Sequence, residues 1–220
     1  MMADETLRAA PASRGLGALS VRFDQVGPVV LALVLIYAGF CLISPPFRTF
    51  DTLLTVLTQA TILAVLACGT TVVLISGGLD LSVGSIFAIV GVLAGQLIVT
   101  FGLPAWQVVI LCLIAGTFCG WLNGFIQTAT RVPAFIVTLG GLTAYRGIAE
   151  LLAAGKDLSR FPPEFRVIGT GSLVPIAIMA VVAALSWYML SRTRTGNYAY
   201  AIGGNAEVAR LAGINVAGHR

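Results

Sequence analysis

The chain has 220 residues, of which 58% are hydrophobic and only 10% charged, with a mean hydropathy of +0.96 and a formal net charge of +4. Soluble domains carry about 25% charged residues, so this composition excludes a water-soluble globule and makes the bilayer the solvent. The twelve Arg and one Lys that outweigh nine acids are spread over short polar segments rather than gathered in a basic stripe with aromatics, which argues against nucleic-acid binding.

Arg8, Arg14 and Arg22 precede the first apolar run, a layout shared with secretory signals. The run from Pro28 to Ser44 is longer than a signal's apolar core and no A-x-A site follows it. Ala38-Gly39-Phe40 before Cys41 is also a poor lipoprotein signal. The expectation is an uncleaved membrane helix behind a cytoplasmic tail at 1–27.

Six apolar stretches follow in order, at 28–44, 53–76, 81–101, 105–128, 132–154 and 173–191. Each is near the ~20 residues that a helix rising ~1.5 Å per residue needs to cross a ~30 Å hydrocarbon core. Turn formers or charges separate them: Ser44-Pro45-Pro46-Phe47, Gly77-Gly78-Leu79-Asp80, Gly102-Leu103-Pro104, Arg131-Val132-Pro133, and a polar stretch at 155–171. The predicted fold is all-α and polytopic, with about six transmembrane helices in a membrane domain at 28–191.

Basic residues near helix ends set orientation, because loops rich in Lys and Arg stay cytoplasmic. With the N-terminus inside, Arg8, Arg14, Arg22, Arg131, Arg192, Arg194, Arg210 and Arg220 fall on the cytoplasmic side, against Arg48, Lys156, Arg160 and Arg166 outside. Residues 192–220 are then a cytoplasmic segment.

Cys41, Cys68, Cys112 and Cys119 lie inside apolar segments without CxxC spacing or a nearby His, and read as small core residues. Gly91 and Gly95, then Gly116, Gly120 and Gly124, recur every four residues. Such spacing lets helix backbones approach closely in lipid; it serves structural packing, or an interface that moves and lines a pathway.

Asp80, between two spans, is costly as a carboxylate in lipid, and intramembrane acids are functional candidates by default. Its flanking glycines permit a broken helix lining a cavity. Asp80 would equally cap the next helix by accepting N–H bonds from Ser82 or Val83, and both roles are compatible. Arg146 and Glu150, four apart in the fifth span, share a helix face and would neutralise each other, with contact to solute as the alternative. Asn123 would hydrogen-bond a neighbouring helix or a solute.

Near the C-terminus, residues 203–213 read as a two-turn helix. Asn205 is its N-cap, Glu207 sits in the first turn, Arg210 in the last, and Gly213 is the stop. So short a helix is marginal alone in water. Val208, Leu211 and Ala212 give it an apolar face, to dock against a cytoplasmic partner or its own membrane domain.

No GxxxxGK[ST] occurs, since the sole lysine, Lys156, is followed by Asp157, and His219 is the only histidine. No Ser-His-Asp or HExxH arrangement appears either. The expectation is a chain that is not an enzyme and holds no cofactor or metal.

Several motifs in order resemble the permease subunits of carbohydrate ABC importers of the ribose and xylose type. They are Gly69-Thr70-Thr71-Val72-Val73-Leu74-Ile75 running into Gly77-Gly78-Leu79-Asp80-Leu81-Ser82-Val83-Gly84-Ser85, then Asn123-Gly124 and Val132-Pro133-Ala134-Phe135-Ile136-Val137-Thr138-Leu139-Gly140. Tyr145-Arg146-Gly147 follows, then Thr195-Gly196-Asn197-Tyr198 and Ala201-Ile202-Gly203-Gly204-Asn205 through Ala209-Arg210-Leu211-Ala212-Gly213-Ile214. The resemblance covers about residues 45–220.

What it implies is a permease in a bacterial inner membrane that imports a sugar or similar small polar solute. It would pair with a second permease copy, accept solute from an extracytoplasmic solute-binding protein, and insert a coupling helix, Asn205-Ala206-Glu207-Val208-Ala209-Arg210-Leu211-Ala212-Gly213, into a separate ABC ATPase subunit. Asp80, Ser82, Asn123, Arg146 and Glu150 are the candidates for pathway or gate positions. Permeases of this kind continue through further spans, so the resemblance implies a shortened chain. The competing functions are an ion-coupled secondary transporter, with Asp80 as its ion site, and a membrane-anchored assembly protein.

Overall fold

A computed structural model describes residues 17–219 except 131, 157, 159 and 170–172, with the backbone alone at 17–26 and 168. Arg8, Arg14, Arg131 and Arg220, which entered the charge count, lie outside the described residues. By internal packing the chain divides into two units, Met1–Leu54 and Thr55–Arg220.

In the first unit, α1 (Gly17–Ile43) begins well before the expected span and ends at a single 3₁₀ turn, Pro45–Arg48. Its last carbonyls lack intrahelical donors. Arg48 supplies them, donating from Nε to the Cys41 carbonyl at 2.6 Å and from Nη2 to Leu42 at 3.3 Å. A cation there also suits the negative end of the helix dipole. Phe47 folds back to stack on Phe40, ring centroids 5.0 Å apart, and its carbonyl accepts from the Tyr37 hydroxyl at 3.1 Å.

Helix α2 (Phe50–Ile75) starts in this unit and runs into the second, which continues with α3 (Val83–Gly95), a π turn (Gln96–Thr100), α4 (Ala105–Thr130) and α5 (Ala134–Ala153). The short α6 (Pro163–Gly169), then α7 (Leu173–Arg192), α8 (Arg194–Gly204) and α9 (Ala206–Leu211) complete it. Among the described residues, five helical segments are long and apolar enough to cross a membrane: α2, α3 with its π turn, α4, α5 and α7. The first expected span, 28–44, is helical, but its apolar part, Gly27–Ile43, falls short of that length. Two helices were not expected. Helix α6 lies inside the polar stretch, and α8 precedes the anticipated short helix.

The side-chain distribution of the second unit is inverted relative to a soluble protein. Leu63, Leu113 and Leu185 are 62–70% exposed, whereas Ser82, Asn123 and Thr138 are 0–6% exposed. In water each large apolar side chain left out would forfeit ~1.5–3 kcal/mol; in lipid that penalty vanishes, and buried polar groups must pair with one another. Helix α3 packs on α5 and α4, and α4 on α5.

An apolar cluster of Ala94, Ile98 and Val108 closes one end, covered by Phe161 and Phe165, whose rings stack at 5.2 Å. Gln96 ties that end of α3 to α5 by donating to the Leu152 carbonyl at 2.7 Å. At the opposite end, the close of α2, the break at Gly78–Asp80, the later turns of α4, the first of α5, the end of α7 and α8 line one cavity.

Candidate functional site

Helix α2 ends because Gly77 takes φ +78°, a left-handed conformation that favours glycine. The Gly78 N–H then reaches back to the Val73 carbonyl and the Gly77 N–H to Leu74, both at 3.0 Å, the paired bonds of a Schellman termination. The chain leaves this turn through Leu79 and Asp80. Asp80 Oδ1 accepts the Ser82 N–H at 2.8 Å and the Ser82 hydroxyl at 2.6 Å, which leads into α3. The expected bond to the Ser82 N–H is made, but as a turn ahead of α3, whose N-cap is Ser82 itself, so Asp80 is not the cap. The 2.6 Å bond lies in the range of charge-assisted O–H···O⁻ contacts.

The Ser82 hydroxyl, having given its one proton to Asp80, accepts from Asn123 Nδ2 at 2.8 Å, and Asn123 Oδ1 accepts from the Tyr145 hydroxyl at 2.9 Å. Tyr145 shares its proton with the Cys119 carbonyl at 3.1 Å. The donors all point one way, from Tyr145 through Asn123 and Ser82 to the carboxylate, and aligned bonds of this kind polarise one another. Asn123 thus bonds neighbouring segments. Space is tight: a methyl on Gly141 would lie 3.1 Å from Asn123 Oδ1 and 3.2 Å from the Tyr145 ring. The Thr138 hydroxyl completes the arrangement by donating to the Leu79 carbonyl at 3.1 Å, pinning the break to α5.

Beside this chain lies a cavity of about 250 Å³. Asp80, Asn123 and Thr138 supply polar groups to its wall, Gly120 and Gly124 open its α4 side, and Thr195 and Ala199 of α8 close it. Of the glycine series, Gly116 faces Val90 of α3 at 3.7 Å, as packing requires, while Gly120 and Gly124 border the cavity.

The structure brings Asp80, Ser82 and Asn123 together, but Arg146 and Glu150 stand apart from them. Those two pair with each other, Arg146 Nε to Glu150 Oε1 at 3.0 Å, with both side chains more than 60% exposed. Thr138, Gly141 and Tyr145 belong to the site and were not anticipated. Their signal was the spacing of polar and small residues along one face of α5, at 138, 141 and 145.

Helix α9 forms as its end signals require. Asn205 Oδ1 accepts from Glu207 N–H at 3.0 Å and Val208 N–H at 3.1 Å. Gly213, at φ +84°, closes a second Schellman motif, with Gly213 N–H on Arg210 and Ile214 N–H on Ala209, both at 3.0 Å. Arg210 pairs with Glu207 at 2.6 Å and holds that carboxyl below its ordinary range by hydrogen bond and charge. Ala209 is the residue turned inward, at 3% exposure, while Val208 and Leu211 are 60% and 78% exposed. Replacing Asn205 by Ala, which removes the acceptor for both N–H groups, is expected to destabilise α9 by ~1 kcal/mol. Faster backbone amide exchange over 206–211 with the membrane helices unchanged is the measurement that checks it.

A polar cavity beside a glycine break, inside helices long and apolar enough to cross a membrane, with a capped helix at the same end, marks a multi-pass α-helical membrane protein. Residues 52–220 match the family described as branched-chain amino acid transport system / permease component, and the chain belongs to that family. It is 38% identical over 194 residues to a ribose import permease protein of Haemophilus influenzae, an overlap of 84% of this chain and 60% of that one. It is 36% identical over 195 residues to a ribose import permease protein of Escherichia coli, covering 85% and 60%. A fructose import permease protein of Rhizobium meliloti is 34% identical over 200 residues, covering 86% and 55%. The chain thus spans about 60% of the length of the ribose permeases it matches. No solved structure matches it.

Proposed function

We propose that this chain acts in the permease subunit of an ATP-driven importer that moves a monosaccharide or similar small polar solute across the bacterial inner membrane. ATP hydrolysis takes place on a separate ABC ATPase subunit and the permease catalyses nothing itself. A second permease copy and an extracytoplasmic solute-binding protein complete the assembly, and the N-terminal tail is cytoplasmic. Residues 28–191 form the membrane domain and 192–220 the coupling segment. The import names of the relatives support this reading over an ion-coupled transporter or an assembly protein.

The observation that carries the proposal is α9. A six-residue helix capped at both ends turns Ala209 inward and its two large apolar side chains, Val208 and Leu211, outward. Leaving Val208 and Leu211 in water is unfavourable by ~1.5–3 kcal/mol apiece, so their natural place is a partner's groove. ATP-driven closure of the ATPase pair pushes on α9, and the helices rock around the cavity walled by Asp80, Asn123 and Thr138. Arg146 and Glu150, an ion pair more than 60% exposed on a membrane helix, belong on a face turned to the aqueous pathway, because charge facing hydrocarbon is costly.

The test is copurification of the tagged full-length permease with the ATPase encoded beside it. The unaltered protein is expected to retain the ATPase, and the double variant Arg210→Glu, Leu211→Asp to lose it while the membrane domain stays folded. An unaltered, folded permease that retains no ATPase would overturn the proposal in favour of the ion-coupled transporter.

A further inference from the structure

The coupling segment meets the glycine break at one point, and there two backbones touch. Gly203, in the last turn of α8, lies so close to the end of α2 that a methyl on it would overlap the Ile75 carbonyl oxygen and come 3.2 Å from the Gly77 nitrogen. From the other side, a methyl on Gly77 would sit 3.3 Å from Gly203 Cα. Helix α8 is anchored at both ends. A methyl on Gly196 would overlap the Met189 and Leu190 carbonyls of α7, and Ile202, beside Gly203, is 2% exposed. Asn205, the cap of α9, follows two residues after Gly203. Asp80, the acceptor of the buried chain, follows three residues after Gly77.

We propose that the contact of Gly203 with the Ile75–Gly77 turn is the joint through which movement of α9 reaches the Asp80 carboxylate and its Ser82–Asn123–Tyr145 chain. The inference rests on the import-permease reading above and names the positioning residue within it. With no side chains between them, the two backbones have no rotamers to absorb a displacement of α8, so the turn must follow. Close-packed elements of this kind shift as units rather than deform continuously. The turn is held to α5 by Thr138 through Leu79 and to α4 by Ser82 and Asn123. A tilt of the break is therefore felt at the cavity wall.

The test uses the full-length permease with its ATPase and binding protein in proteoliposomes, reading solute moved per ATP hydrolysed. Gly203→Ala is expected to keep the ATPase bound and its basal hydrolysis unchanged, yet to lower that ratio about tenfold, inside the usual range of coupling between sites. Gly204→Ala, whose methyl meets nothing within 4 Å, is expected to leave the ratio unchanged. A merely structural role would lower the amount of folded complex and not the ratio. Full transport per ATP by Gly203→Ala overturns the joint, and so does loss of the ATPase as complete as in the Arg210→Glu, Leu211→Asp variant.

Should Gly203→Ala not assemble, the unaltered importer decides by hydrogen exchange. Binding of a non-hydrolysable ATP analogue is expected to change the protection of the Gly77, Gly78 and Ser82 amides, and no change there overturns the inference. If the unaltered permease binds no ATPase, it is the import reading that fails.

Discussion

Asp80→Asn is expected to leave the protein folded while cutting solute uptake about tenfold, and Asp80→Ala to impair both. The distinction follows from which atom does what. Asn keeps an oxygen at the Oδ1 position, so the Ser82 N–H and hydroxyl, now held at 2.8 and 2.6 Å, retain an acceptor and the break keeps its shape. A hydrogen bond to a charged group contributes ~1.5–3 kcal/mol against ~0.5–1.5 for a neutral one. With two such bonds, the stability loss of Asp80→Asn should stay at about 2 kcal/mol. Alanine strands both donors of Ser82, a residue 0% exposed, and ~2–6 kcal/mol is expected from two unmet bonds. Under the proposed function the charge itself matters for transport, because the carboxylate stands on the cavity wall with Asn123 and Thr138. Losing the charged part of one contact to a solute hydroxyl, ~1–1.5 kcal/mol, corresponds to about tenfold in rate. Melting in detergent and uptake in proteoliposomes measure the two effects separately. Wild-type uptake by a folded Asp80→Asn protein would mean that Asp80 only holds the turn ahead of α3.

The spans were legible in the sequence because an apolar run near twenty residues leaves a chain in lipid few alternatives to a helix. Breaks were legible where a residue dictates backbone geometry, as Gly77 and Gly213 do with φ of +78° and +84°. Helix α9 was legible because Asn205, Glu207, Arg210 and Gly213 each act locally. Helix α8 escaped notice although Thr193 caps it, accepting from Gly196 N–H at 3.2 Å, and Gly196, Ala199 and Ile202 recur on its buried face. That stretch is rich in Gly and Tyr, and its helicity comes from docking on α7 and the end of α2. The rotation of each span about its own axis was the least legible quantity. In water the contrast between polar and apolar faces sets that rotation, but between helices in lipid the contrast is absent. Arg146 and Tyr145 are neighbours in sequence, yet Tyr145 is 7% exposed and joins the buried chain while Arg146 faces outward. The i,i+4 spacing of Arg146 and Glu150 identified them as partners of each other and carried no information about which way they face.

Asn123 gives the second large effect, in an order opposite to that of side-chain similarity. Asn123→Leu is expected to be tolerated better than the isosteric Asn123→Asp. Leucine removes a donor and an acceptor together, and each former partner keeps one bond: Ser82 still donates to Asp80 at 2.6 Å and Tyr145 to the Cys119 carbonyl at 3.1 Å. Hydrogen bonds between membrane helices average ~0.6 kcal/mol, so Asn123→Leu should be destabilising by about 1–2 kcal/mol. Aspartate keeps the acceptor for Tyr145 but replaces the Nδ2 donor with an oxygen facing Ser82 Oγ across 2.8 Å. Ser82 has a single hydroxyl proton, already committed to Asp80, so two carboxylates would compete for it at a position only 6% exposed. An uncompensated buried charge is destabilising by ~3–5 kcal/mol, which exceeds the leucine effect by about 1–4 kcal/mol. Melting temperatures of the two variants in one detergent decide the order. Equal stability of Asn123→Leu and Asn123→Asp would mean that water reaches the chain and supplies the missing proton, and the directed Tyr145–Asn123–Ser82–Asp80 relay would then have to be replaced by a hydrated one.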